Sequence, residues 1–152
     1  MDTEQTIKAL NTLVVINNDR IEGYETASDE TEEKDLQLLF AIFAQTSQKC
    51  KQELVSEITR LGGEPAEGTR ATGKLYRVWM DVKAAVTGKD RKAILNSCEY
   101  GEDIAVGTYD QVLEDHNADL TVDELRMLTA QRALIKADHD QIKQMRDALA
   151  EA

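Results

Sequence analysis

The sequence predicts an all-α protein: a four-helix bundle whose two helical pairs are joined by one long connection containing a short helix of its own. Three observations carry this expectation. Apolar residues recur at spacings of three and four along four long stripes, and no segment alternates at period two for long enough to make a strand. Gly62, Gly63, Pro65, Gly68 and Gly73 gather between the second and third stripes and break the helical pattern there. Short polar segments after the first and third stripes leave room only for tight turns between paired helices.

The first stripe is Leu10, Leu13, Val14, Asn17, Ile21 and Tyr24, on a helix from about Thr3 to Ser28. The acidic segment Asp29–Lys34 is a solvated turn, short enough to make the first two helices antiparallel neighbours. Leu36, Leu39, Phe40, Phe43, Ser47, Cys50, Leu54, Ile58 and Leu61 form the second stripe. It stops at Gly62-Gly63, which can supply a left-handed C-terminal cap, and Pro65 follows. The crossover spans about 62–91 and includes a stripe of Leu75, Val78, Trp79, Val82 and Val86, with Trp79 and Tyr76 as packing anchors. The third stripe is Ile94, Cys98, Glu102, Ala105, Tyr109 and Val112. Gly101 and Gly107 on this helix suggest close approach of a neighbour. After a polar loop at Asp115–Asp119, Thr121 and Glu124 have capping-box spacing. The fourth stripe is Leu125, Leu128, Ile135, His139, Ile142, Met145 and Leu149.

A chain of 152 residues with 41% hydrophobic residues reads as a single domain, residues 1–152, with a substantial core. Its net charge of −11, with no basic stripe, argues against nucleic acid and anionic membranes as partners. No apolar run approaches membrane-spanning length, and Met1–Leu10 has no signal core, so a cytoplasmic location is expected. Cys50 and Cys98 lack metal-ligand or disulfide-framework spacing and are expected as free thiols in the core. No phosphate-binding loop or nucleophile elbow is present, and no residue is assigned a catalytic role.

Each long stripe is interrupted near its middle by a polar residue: Asn17, Ser47, Glu102 and His139. A polar atom inside a bundle costs a few kcal/mol unless it is paired or binds something. The first and third helices also match one another: with Tyr24 laid on Tyr109, Asn17 falls on Glu102.

Two helical hairpins joined by one long crossover resemble the ferritin-like superfamily. Near the full length, the chain is also similar to an uncharacterised bacterial family of ferritin-like proteins, a domain of unknown function. The segments carrying that likeness are Ile16-Asn-Asn-Asp-Arg-Ile-Glu-Gly-Tyr24, Leu61-Gly-Gly-Glu-Pro65, Gly73-Lys-Leu-Tyr-Arg-Val-Trp79, Cys98-Glu-Tyr-Gly-Glu-Asp103 and Ala137-Asp-His-Asp140. The superfamily resemblance implies a di-iron site in which the first and third helices each give a Glu, and the second and fourth each give a Glu-x-x-His. Carried onto this chain, the first position is Asn17, the second pair is Ser47 and Cys50, the third is Glu102, and the fourth pair is Lys136 and His139. Only Glu102 and His139 keep a ligand type, and Lys136 would repel a cation.

The residues thus leave two readings open. In one, Glu102 and His139 pair inside a buried polar layer with Asn17 and Ser47, completed by Tyr24 or Tyr109. The protein is then a non-enzymatic structural or stress-associated interaction protein without a cofactor, self-associating as a homo-oligomer such as a dimer. In the other, Glu102 and His139 hold a single divalent metal ion (Fe, Mn or Zn), completed by Cys50 or Glu99. A carboxylate cluster of Glu22, Glu99 and Glu102 and a small-ligand pocket at the bundle centre are further alternatives. Asp138, next to His139, is expected to face solvent.

Overall fold

The computed structural model describes residues 2–68 and 74–151. It contains α1 (Thr3–Glu30), α2 (Lys34–Arg60), α3 (Lys74–Thr87), α4 (Arg91–Asp115), a 3-10 turn (Asn117–Asp119) and α5 (Val122–Glu151). Every described element is helical, as the stripes require. Residues 69–73 of the expected breaker Gly62–Gly73 and the side chains of Leu75 and Tyr76 lie outside the described residues.

Local chemistry sets the helix ends. Asp2 caps α1, its carboxylate accepting from the backbone N–H groups of Glu4 at 3.1 Å and Gln5 at 3.3 Å. α2 ends as read from the sequence: Gly62 takes φ +82°. The Gly62 N–H then donates to Thr59 O at 3.0 Å and the Gly63 N–H to Ile58 O at 2.9 Å. This is the double closure of a Schellman cap, and its left-handed residue favours glycine. Asp90 caps α4 through Ala93 N–H. Thr121 and Glu124 form the reciprocal capping box at the start of α5, with N–H donors to Glu124 Oε1 at 2.8 Å and Thr121 Oγ1 at 3.1 Å.

α1 pairs with α2, and α4 with α5, while α3 lies across α1 and α4. Cross-links fix the directions. Asn17 meets Tyr109 and Tyr24 meets Glu102, so α1 and α4 run antiparallel. Gln131 meets Cys50, whereas Asp138 lies near Thr46, so α2 and α5 also run antiparallel. The core is continuous from Leu10, Leu13 and Val14 through Phe40, Phe43 and Leu54 to Ile94, Leu128 and Ile135.

Trp79 anchors α3 as expected, and Gly23 makes that possible. A Cβ on Gly23 would lie 2.2 Å from the indole, so only glycine admits the ring there. The ring meets Tyr24 edge-on at 4.8 Å. Gly107 is exposed, and a Cβ there would meet nothing within 4 Å, so the crossover helix is not the close neighbour expected at this position. Gly101 is buried on α4.

Candidate functional site

α1 buries more than its apolar stripe. Leu10, Leu13, Asn17, Arg20, Tyr24 and Ala27 are all buried at alternating spacings of three and four, forming the seam that faces the other helices. Arg20, absent from the residues that sequence reasoning selected, is fully buried at the bundle centre.

Its guanidinium organises the polar layer. Nη2 donates to both Glu102 oxygens, at 2.9 and 3.0 Å, and Nε donates to Glu102 Oε1 at 3.1 Å. Nη2 also reaches Asp138 Oδ2 at 3.1 Å, and Nη1 donates to Ser47 Oγ. The Tyr24 hydroxyl donates to Glu102 Oε1. A planar fork of fixed donors suits this geometry, because it satisfies a carboxylate in two places at once.

Asn17 belongs to an adjoining layer. Its amide donates to Leu13 O at 2.8 Å and to the Tyr109 hydroxyl at 2.9 Å. Tyr109 in turn donates to Gln131 Oε1 at 2.7 Å, and Gln131 Nε2 reaches Cys50 O and Glu53. Tyr109 also lies beside the Cys50 thiol, which burial pushes up to about 11 and which therefore stays protonated at neutral pH.

Charge at the centre is unbalanced: two carboxylates share one guanidinium. Burial pulls the guanidinium toward deprotonation, but Glu102, Tyr24 and Asp138 outweigh it and hold the cation firmly charged. Burial raises Tyr24, and Glu102 raises it further, so its hydroxyl stays a donor. Burial, with Glu102 nearby, lifts Asp138 to about 6 despite the opposing pull of Arg20.

These contacts correct several expectations. Asp138 does not face solvent; it is buried against Arg20 because α5 turns this position, rather than His139, toward the centre. Glu102 is satisfied by Arg20 and Tyr24, not by an imidazole. His139 is buried but turned to the α4 flank, where Nε2 lies 2.6 Å from Asp103 Oδ1 and 3.8 Å from Glu99 Oε1. Lys136 does not enter the bundle; it pairs with Asp140 at 2.5 Å in a half-exposed position. Of the cluster Glu22, Glu99 and Glu102, Glu22 lines a different feature, a cavity of about 270 Å³ between α1 and α3 bounded by Asp19, Gly23, Trp79 and Met80. That cavity lies beside the crossover helix rather than at the bundle centre.

A di-metal centre, which the ferritin-like resemblance implies, does not fit this donor set. Asn17 and Ser47 stand at carboxylate positions, and a buried cation holds both Glu102 oxygens. A metal bound through Glu102 would have to displace Arg20.

Residues 5–115 match the family described as Domain of unknown function (DUF2383). The chain belongs to that family. Among solved structures it is similar to a dodecameric thioferritin, the bacterioferritin-related protein from Bacteroides fragilis. The TM-score is 0.66 at 18% sequence identity, over 99% of this chain and 88% of that one. This likeness establishes the ferritin-like fold. No curated protein matches the chain in sequence.

Proposed function

We propose that this protein is a non-enzymatic, ferritin-like bundle that serves as a structural or stress-associated interaction protein in the cytoplasm. The observation carrying the reading is the buried Arg20 guanidinium on Glu102 and Asp138. It supplies from within the chain the positive charge that metal ions supply in a di-iron bundle. A layer bonded in this way ties four helices together, with Arg20 on α1, Ser47 on α2, Glu102 on α4 and Asp138 on α5.

Self-association is part of the reading. Leu38 and Ile42, one turn apart on α2, are 69% and 55% exposed, an apolar pair suited to a second copy. The thioferritin it resembles is a dodecamer, which supports assembly without fixing a number of subunits. No helix among the described residues is long and apolar enough to cross a membrane.

The test is aerobic incubation of the purified chain with Fe²⁺, following ferric absorbance against protein-free buffer. Oxidation no faster than the buffer control is expected. Rapid oxidation of two irons per chain would contradict the proposal.

A further inference from the structure

We propose that Glu99, Asp103 and His139 form a binding site for one divalent transition-metal ion on the α4–α5 flank, displaced from the bundle centre. The site goes beyond the structural reading above and does not depend on it. Glu99 and Asp103 are four residues apart on α4 and therefore share one face. α5 delivers His139 opposite them. One donor atom from each residue lies within 4.8 Å of the other two. Tetrahedral ligand bonds of about 2.1 Å place donors on one ion about 3.4 Å apart, so closure draws Glu99 Oε1 in from 3.8 Å of the imidazole and opens the 2.6 Å spacing of Asp103 from it, shifts on the order of an ångström. Asp103, with its side chain 58% exposed, is free to make that shift and gives an ion a path in from solvent.

The imidazole is already aimed. Asp140 Oδ1 lies 3.0 Å from His139 Nδ1, fixing the ring so that Nε2 faces Asp103 and Glu99. A carboxylate behind the ring is the common device for orienting a metal-bound histidine and raising its basicity. Lys136 Nζ bonds the same Asp140 oxygen that meets the imidazole, and Arg146 holds Glu99 Oε2, leaving Oε1 toward the imidazole. Three carboxylates thus converge on one imidazole, and Lys136 and Arg146 each hold one of them.

One imidazole nitrogen with two carboxylate oxygens favours a first-row transition ion over calcium or magnesium, which prefer all-oxygen shells. Water molecules would complete the coordination. Binding involves no covalent or redox step. The contrast with Glu102 is one of seating: there a guanidinium holds both carboxylate oxygens, whereas here Arg146 and Lys136 hold Glu99 Oε2 and Asp140 and leave Glu99 Oε1 and Asp103 Oδ1 toward the imidazole.

Isothermal titration of the full chain with Zn²⁺ tests the site. The expected result is saturable binding of one ion per chain. Asp103→Asn should weaken it at least tenfold and His139→Gln should abolish it, while Asp140→Asn should weaken it roughly tenfold with unchanged stoichiometry. Cys50→Ser should leave it unchanged. Asp103 is exposed, so circular dichroism of that variant should match the parent and exclude misfolding. Absence of one-per-chain binding in the parent, or parent-like affinity in Asp103→Asn, would overturn the proposal.

Discussion

Glu102 and Asp103 are adjacent on α4, as are Asp138 and His139 on α5, yet each pair is split between two environments. One residue along a helix rotates the side chain by about 100°, enough to turn one neighbour to the bundle axis and the other to its flank. Glu102 and Asp138 meet Arg20 in a buried layer, with Asp138 at its edge. Asp103 and His139 meet each other where α4 and α5 open to solvent. The residue types are nearly the same, and the source of positive charge differs. At the centre a third helix contributes a guanidinium, and the carboxylates become structural. On the flank Arg146 and Lys136 hold Glu99 Oε2 and Asp140 but leave Glu99 Oε1 and Asp103 Oδ1 toward the imidazole, and the same chemistry is left available to an ion.

The sharpest way to break this comparison is to remove the internal cation. Arg20→Met leaves Glu102 and Asp138 buried without a partner and should cost about 3–5 kcal/mol. Thermal denaturation should show a fall of roughly 10 °C for a chain of this size. Adding Glu102→Gln and Asp138→Asn to Arg20→Met should recover most of that loss, because the penalty comes from unpaired charge rather than lost packing. If the triple variant stays as unstable as the single one, Arg20 acts mainly by filling space.

Asp138→Asn tests the surplus carboxylate. A carboxyl that moves from about 4 in the unfolded chain to about 6 in the folded one binds its proton more tightly when folded. Its stabilising contribution is therefore complete below about pH 4 and is lost as pH rises through about 6. At pH 8 the asparagine variant should be more stable than the parent by about 1–2 kcal/mol, since Asp138 retains some contact with water. The gain should vanish at pH 4. Urea titrations at the two pH values check both points, and a variant more destabilised at pH 8 than at pH 4 would show that the ion pair outweighs desolvation.

The smallest effect is expected on the flank. Without added metal, Asp103→Asn should change stability by less than about 0.5 kcal/mol, because the residue is exposed. A larger loss would mean that the flank cluster is as structural as the centre.

The fold was legible because its signals are redundant. Stripes at helical spacing, Gly62-Gly63 after Ile58 and the Thr121/Glu124 box each mark the same boundaries that the hydrogen bonds then close. The polar layer was half legible. Asn17, Ser47, Glu102 and His139 are all buried, as their positions in the stripes required. Arg20 escaped because an arginine beside an apolar stripe reads as a flank residue. The missed signal was register: Arg20 falls three residues after Asn17 and four before Tyr24, on the buried seam itself. Asp138 escaped for a related reason. His139 continues the stripe at one residue's offset, and periodicity cannot separate adjacent positions when both are polar. The partner of a buried carboxylate is a three-dimensional fact, and here it lies 82 residues away.

The most direct test of the account is anomalous diffraction from crystals soaked in Zn²⁺. It predicts one zinc peak, bonded to His139 Nε2 and the Asp103 and Glu99 carboxylates, with Arg20 still seated on Glu102. Zinc bonded to Glu102 at the bundle centre, with the Arg20 guanidinium swung away, would contradict it.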